Sequence, residues 1–234
     1  MLAAVILAGG LGTRLRSAVP DLPKPMAPLN GRPFLEYQME HWIGQGVRRF
    51  VLSVGYKHEL IEQHFGSSYR GAEIAYAVET APLGTGGGLL LALNEVRASG
   101  PWLVLNGDTF FDVDLAGLRN FHDAKQAEIT LTLSPVAGNT RYTGVEIDRD
   151  GRITKLKAAS DGSTQFINGG VYLLGETALS GLPYRVGDRA SFESDILEWA
   201  REAGKRLYGY PSPGRFIDIG VPEDYARAAG LLRS

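Results

Sequence analysis

The sequence predicts an α/β fold: a Rossmann-like, doubly wound, mostly parallel sheet with helices on both faces, continued into a smaller lobe by its second half. Two observations predict it. Short apolar runs alternate with segments of helical periodicity through the first half. Segments 9–14, 82–88 and 106–108, the most chemically suggestive in the chain, each follow such a run. Ligands of doubly wound sheets bind there, beyond the carboxyl ends of strands.

Taken in order, Ala3–Leu7 reads as a buried strand and Gly9–Gly12 as the loop after it. Leu35, Met39, Trp42 and Ile43 fall on one helical face, and Gly46 stands where that helix stops. Arg48–Tyr56 is a second strand, His58–Phe65 a helix, Glu73–Glu79 a third strand and Gly86–Val96 a helix. Trp102–Asn106 is the fourth strand, ended by Asn106-Gly107-Asp108. Asp114 is placed to cap a following helix. The second half changes character: Glu128–Val136, Gly144–Ile147, Arg152–Lys157 and Gly169–Leu174 read as strands, with a hairpin turn at Asp150-Gly151. Ser191 suits the N-cap of a helix running to about Ala203, with Glu193 and Asp195 in its first turn. Pro222 opens a terminal helix whose face is Tyr225, Ala228, Ala229 and Leu232. The division expected is one domain with a half at about 1–126 and a half at about 127–234.

Composition narrows the function. With 44% hydrophobic and 21% charged residues the chain is globular rather than disordered. A net charge of -2 gives no electrostatic case for nucleic acid. The absence of cysteine excludes disulfides, thiolate metal sites and thiol nucleophiles. The apolar N-terminus lacks a basic leader and runs into Gly9-Gly10, and no stretch reaches the length of a membrane span, so the cytoplasm is the expected compartment.

The chemistry begins with Leu7-Ala-Gly-Gly-Leu-Gly-Thr-Arg-Leu15. Glycines after a strand let backbone N–H groups approach a phosphate together. A Walker loop would end in Gly-Lys-Ser/Thr, and the dinucleotide fingerprint would need glycine where Leu15 stands, so neither applies. Arg14 beside the loop suits a polyphosphate. In Leu22-Pro-Lys-Pro-Met-Ala-Pro-Leu29, the flanking prolines should hold Lys24 on extended backbone. Asp108 and Asp218 each lie at the edge of an apolar run, as turn caps or as a carboxylate pair on Mg²⁺. The four histidines fall on or beside expected helices and read as structural or exposed.

Six blocks then carry a resemblance: Leu7–Leu15, Pro23-Lys-Pro-Met26, Pro82-Leu-Gly-Thr-Gly-Gly87, Asn106-Gly-Asp-Thr109, Ile167-Asn-Gly-Gly170 and Phe216-Ile-Asp-Ile-Gly220. Together and in this order they resemble the sugar-1-phosphate nucleotidyltransferases, over essentially the whole chain. The resemblance implies the nucleotide-diphospho-sugar transferase fold, Mg²⁺ as cofactor, and a nucleoside triphosphate and a sugar 1-phosphate as small-molecule partners. It implies that Leu7, Ala8, Gly9, Gly10, Gly12, Thr13 and Arg14 hold the triphosphate, and that Glu79, Pro82, Gly84 and Thr85 line the base pocket. Lys24 would meet the sugar phosphate and the α-phosphate, and Asp108 and Asp218 would bind the metal. Asn106, Gly144, Lys157, Asn168 and Gly169 would form the sugar side. Arg14, Lys24, Asp108 and Asp218 are the implied catalytic set. The blocks Asn106–Leu115 and Phe216–Tyr225 are most similar to the branch that joins GTP to D-glycero-α-D-manno-heptose 1-phosphate. The residues after Tyr225 leave no room for the left-handed helical acyltransferase domain of some relatives.

Two departures lie on the sugar side. Relatives commonly carry a Glu-Lys pair where this chain reads Lys155-Leu-Lys-Ala-Ala159, so the acidic sugar contact is missing there. Arg141-Tyr-Thr-Gly-Val145 inverts the usual Tyr-Gly-Thr order, shifting Gly144 by one place. The readings left open are a mannose 1-phosphate guanylyltransferase, a uridylyltransferase for another sugar 1-phosphate, and a non-catalytic sugar-nucleotide sensor. The complete charge set of Arg14, Lys24, Asp108 and Asp218 argues against the sensor.

Overall fold

The structure, a computed structural model, describes residues 2–10, 12, 14–15, 17–96, 99–135, 144–158 and 166–232. In chain order its elements are β1 (Ala3–Leu7), β2 (Pro28–Leu29), β3 (Arg32–Pro33), α1 (Phe34–Gly44), β4 (Arg49–Val54), α2 (His58–Phe65), β5 (Ser68–Tyr69), β6 (Ala72–Val78), α3 (Gly84–Glu95), β7 (Trp102–Asn106), β8 (Thr109–Phe111) and α4 (Leu115–Ala124). They continue as β9 (Ile129–Pro135), β10 (Gly144–Ile147), β11 (Ile153–Ala158), β12 (Phe166–Leu174), α5 (Leu197–Glu202), β13 (Leu207–Pro211), β14 (Phe216–Asp218) and α6 (Pro222–Leu231).

One sheet runs in the order β11-β10-β12-β7-β1-β4-β6-β5, with β9 on the other edge of β12 and β13 on β9. Its first-half core is parallel: β1 lies between β4 and β7, and β6 extends β4. Alternation along β1 explains the two helical layers. Ala4 and Ile6 face an apolar cluster with Leu35, Met39, Trp42, Ile61 and Leu118 of α1, α2 and α4. Val5 and Leu7 face the other side, against Leu89 and Ala92 of α3 and Leu197 and Ala200 of α5. All five residues of β1 are buried, as a central strand covered on both faces requires.

The second half joins the same sheet with antiparallel strands. β12 pairs with β7 through Val171–Leu174 and with β10 through Phe166 and Ile167. Between the two stretches Gly170 takes φ +69 and the register with β9 shifts, a bulge that bends the strand past the cleft. Gly151 takes φ +83 at the β10–β11 hairpin, where Asp148 Oδ1 accepts from the N–H of Asp150 and Arg152, both at 2.9 Å.

A third apolar cluster lies outside the sheet. Leu15, Val19, Ala27, Leu29 and Phe34 pack with Phe110, Ile217, Ile219, Ala228 and Leu232. Here the β2–β3 hairpin meets α6: Asn30 Nδ2 donates to the Ala229 and Leu232 carbonyls at 3.0 and 3.1 Å. The Tyr225 hydroxyl donates to the Pro28 carbonyl at 2.5 Å.

Two local expectations change. Lys24–Met26 forms one 3-10 turn rather than extended backbone, closed by Ala27 N–H on the Lys24 carbonyl. Proline at a first helical position needs no N–H partner and already has a helical φ, so Pro25 fits the turn. The helix after Ser191 begins as a wide turn over Phe192–Ile196, because the Ser191 carbonyl accepts from both Asp195 and Ile196 N–H at 3.1 Å. Ser191 is nonetheless its cap, with Oγ accepting from Ser194 N–H at 3.1 Å. Among the described residues no helix is long and apolar enough to cross a membrane.

Candidate active site

Beyond the carboxyl ends of β1 and β7 lies a cleft of about 440 Å³. Its floor is made by the loops after those strands. The Gly107 N–H donates to the Leu7 carbonyl at 2.9 Å, and the Ala8 N–H to the Ser53 carbonyl at 2.8 Å. The approach leaves little room for a side chain. A Cβ on Gly107 would stand 2.6 Å from the Leu7 oxygen, and one on Gly9 only 2.0 Å from Glu79 Oε1. Leu7, Ala8, Gly9, Gly10 and Gly12 all line the cleft. Thr13 falls outside the described residues. Arg14 sits exposed on a turn and is not among the lining residues.

The charged centre is assembled from three separate pieces of chain. The 3-10 turn presents Lys24, whose ammonium donates to Asp108 Oδ2 at 2.7 Å. The lysine side chain is 12% exposed and the aspartate side chain 35%, so the pair is partly withdrawn from water but open to the cleft. β8 and β14 then pair in antiparallel register, setting Asp218 opposite Thr109. The Ile219 N–H donates to the Asp108 carbonyl at 2.9 Å. The backbone of Asp108, just before β8, and that of Asp218, at the end of β14, are thus brought together across 110 positions of chain, although only Asp108 is among the residues lining the cleft. Asp218 Oδ1 also accepts from the Gly220 N–H at 2.6 Å, which holds its orientation.

Glu79, Pro82, Gly84 and Thr85 line the opposite side. The Glu79 carboxylate accepts from Ser53 Oγ at 3.1 Å and from the Leu83 N–H at 3.0 Å. A carboxylate offers about four lone-pair sites, so both oxygens retain acceptor capacity toward the cleft. Thr85 is turned to another task, its hydroxyl donating to Glu193 Oε2 at 2.9 Å while accepting from the Phe192 N–H at 2.8 Å.

The expected sugar side is only partly gathered. Asn106 lines the cleft; Gly144, Lys157, Asn168 and Gly169 are not among its described lining residues. Lys157 is exposed on β11. Asn168 points its amide at the Tyr172 hydroxyl, 2.8 Å away, and accepts from the Gly170 N–H at 3.0 Å. Gly169 lies beneath the Phe111 ring, where a Cβ would come within 2.4 Å of a ring carbon. Residues 141–143 and 159, on which the two departures rest, lie outside the described residues. Asn106 Oδ1 is buried without a hydrogen-bond partner among the described atoms.

Sequence reasoning missed Ser53, Arg189 and Glu193, all of which line the cleft. Ser53 was hidden inside a strand, and Arg189 and Glu193 follow a long polar loop with no spacing signature. Asp112 and Asp114 are not metal ligands in waiting: Asp112 lies 3.8 Å from both Arg215 and His41, and Asp114 caps α4 through the Ala116 and Gly117 N–H groups. His122 is buried on Thr130 Oγ1 at 2.8 Å, and burial lowers its pKa.

The protein-family description "Nucleotidyl transferase" matches residues 3–234. A D-glycero-alpha-D-manno-heptose 1-phosphate guanylyltransferase of Aneurinibacillus thermoaerophilus is 42% identical over 230 residues, 98% of each chain. The Campylobacter jejuni protein of the same name is 39% identical over 95% of this chain and 96% of its own. The crystal structure of HddC from Yersinia pseudotuberculosis superposes over 100% of both chains with a TM-score of 0.85 and 33% identity. The same protein complexed with GMP-PN gives 0.84 at the same identity and coverage. Glycine loop, lysine turn, paired aspartates and full-length likeness agree: the chain belongs to the nucleotidyl transferase family.

Proposed function

We propose that this chain transfers the guanylyl group of GTP to D-glycero-α-D-manno-heptose 1-phosphate, giving GDP-heptose and pyrophosphate. The observation that carries the chemistry is the Lys24–Asp108 ion pair beside a glycine floor, with Asp218 brought near it by the pairing of β8 with β14. Relatives that are 42% and 39% identical over nearly the whole chain support guanine and the heptose. In this reading residues from about 1–126 hold the nucleotide and those from about 127–234 the sugar phosphate.

The donor set fits a magnesium ion. Among the described residues no group of three or more His, Asp or Glu side chains clusters as a metal cage. Magnesium is usually bound by one or two carboxylates plus phosphate oxygens, and Asp108 Oδ2 already faces a cationic partner in the Lys24 ammonium. Asp108 and Asp218 would hold the ion, which when bound neutralises charge on the phosphates and helps align them.

The rest is the work of the chain. A phosphate monoester has a second pKa of about 6, so the sugar phosphate is largely dianionic at neutral pH and needs no general base. One of its oxygens attacks the α-phosphorus in line, the bond to the β-phosphate oxygen breaks, and pyrophosphate leaves from the opposite side. Glycine-loop N–H groups cradle the triphosphate, and Lys24 offsets the negative charge that grows as the α-phosphorus becomes five-coordinate. Glu79 accepts from guanine N1–H and its 2-amino group, two donors side by side.

The deciding experiment is pyrophosphate release, with kcat/KM compared for GTP and UTP against the heptose 1-phosphate and α-D-mannose 1-phosphate. GTP with the heptose should be the best pair. UTP equal to or above GTP would refute the nucleotide. Mannose 1-phosphate equal to or above the heptose would move the chain to the hexose branch with the chemistry intact.

A further inference from the structure

We propose that Glu193 is the acidic residue that reads the sugar, accepting hydrogen bonds from two neighbouring ring hydroxyls of the sugar 1-phosphate. The proposal deepens the transferase reading above and rests on it. The end of β11 offers no acid, since the chain reads Lys155-Leu-Lys-Ala-Ala159 there. The cleft nevertheless holds three carboxylates, Glu79, Asp108 and Glu193. Asp108 is paired with Lys24, and Glu79 is fixed on the Ser53 and Leu83 side. Glu193 is the one left without an assigned part.

Its surroundings are chemically specific. Thr85 Oγ1 donates to Oε2 at 2.9 Å, a normal hydrogen bond. The other three contacts are long: Ser191 Oγ to Oε2 at 3.4 Å, Asn106 Nδ2 to Oε1 at 3.3 Å and the Tyr172 hydroxyl to Oε1 at 3.5 Å. Hydroxyl-to-carboxylate bonds settle at about 2.5–2.7 Å when the donor is free to approach. Glu193 is therefore anchored by one normal hydrogen bond and holds unspent acceptor capacity at the cleft wall. Every donor it meets is neutral, and no ion pair to it occurs among the described residues.

An uncompensated carboxylate is a poor neighbour for phosphates, because like charges in a cleft repel. It is a good acceptor for neutral hydroxyls. Its position is also secured. Phe192 is fully buried and packs edge-on to Tyr172 at 4.8 Å between ring centroids. The Ala190 carbonyl accepts from Gly86 and Gly87 N–H at 2.8 and 3.2 Å, fastening the wide turn to the start of α3. Burial keeps the Tyr172 phenol neutral, so its hydroxyl accepts from Asn168 Nδ2 and keeps its own proton to donate toward Glu193. Wide turns of this kind re-aim side chains and are frequent at functional sites.

The test compares wild type with Glu193→Gln, which replaces one acceptor oxygen by a donor of nearly the same shape. KM for the sugar 1-phosphate should rise about tenfold or more, while KM for GTP stays within about twofold and kcat falls less than KM rises. A sugar 1-phosphate lacking one ring hydroxyl should be penalised in wild type and less so in the variant. Calorimetry supplies the second readout: GDP-mannose should lose affinity in Glu193→Gln, and GDP should not. Glu193→Asp, which keeps the charge, should recover part of the loss. Unchanged sugar KM and GDP-mannose affinity, or equal losses for GDP and GDP-mannose, would overturn the proposal. Should wild type prove inactive with every nucleotide, the transferase reading fails, and the GDP-mannose and GDP titrations still judge Glu193.

Discussion

Replacing Gly9 by alanine should strip the cleft of its guanine preference while leaving the fold standing. The added Cβ would fall 2.0 Å from Glu79 Oε1 and 2.8 Å from the carboxyl carbon. Non-bonded carbon and oxygen rest at about 3.3–3.6 Å, so the carboxylate must withdraw by roughly 1.3 Å or more. That movement pulls it off Ser53 Oγ and the Leu83 N–H. Because the clashing atoms end a flexible side chain, the backbone need not move and the melting temperature should change little. Guanine then loses the acceptor for its N1–H and 2-amino group. Inosine triphosphate, which lacks the 2-amino group, isolates one of those bonds. A hydrogen bond to a charged group contributes about 1.5–3 kcal/mol, so wild type should favour GTP over ITP in kcat/KM by roughly 10- to 150-fold. In Gly9→Ala the ratio should fall toward one, and Glu79→Gln should do the same without the steric change. A folded Gly9→Ala protein that kept the wild-type ratio would refute Glu79 as the guanine reader.

Other outcomes follow from the same geometry. Asp108→Asn and Asp218→Asn should each lower Mg²⁺-dependent turnover by about a hundredfold or more, because charge stabilisation at the phosphates is the main catalytic contribution; wild-type rates in either would sink the metal assignment. Lys24→Ala should lower kcat more than it raises the KM for GTP, since its charge matters most in the transition state. A change confined to KM would make it a binding residue only. Burial holds the His122 pKa below the ordinary imidazole value, so the unfolded chain binds the proton more readily. That histidine's stabilising share is therefore complete above the unfolded pKa of about 6.5 and is lost as pH falls through the lower folded value. Melting temperature should drop between roughly pH 7 and pH 5, with a shallower drop in His122→Asn; parallel curves would show that the group does not titrate there.

The parallel core was legible because a central strand covered on both faces leaves an unbroken apolar run. Ala3–Leu7, His58–Phe65 and Trp102–Asn106 are found at the bounds read from the sequence. The hairpin Pro28–Pro33 and the pairing of Thr109–Phe111 with Phe216–Asp218 were not legible. Two- and three-residue strands have no periodicity to read, and their partners are set by tertiary contact. The charged residues of the site announced themselves through glycine and proline neighbours. Glu193 did not, because an acid in the first turn of a helix already has an adequate local explanation. Lys157 was read from its place in a motif, and it lies exposed on β11.

The third apolar cluster, which ties Leu15 and Leu29 to Ile217, Ala228 and Leu232, has a consequence for how the protein is made. A ribosome delivers its two groups at opposite times. At about 5–20 residues per second, Leu15 waits on the order of 10–40 s for Leu232. During that interval Ala27 and Leu29 have no α6 to pack against, and the Asp108 carbonyl has no Ile219 N–H to receive. The strands from β1 to β7 can meet their neighbours long before. The charged wall of the cleft is thus completed only when β14 arrives, and a nascent chain arrested before Phe216 carries paired strands without a closed site.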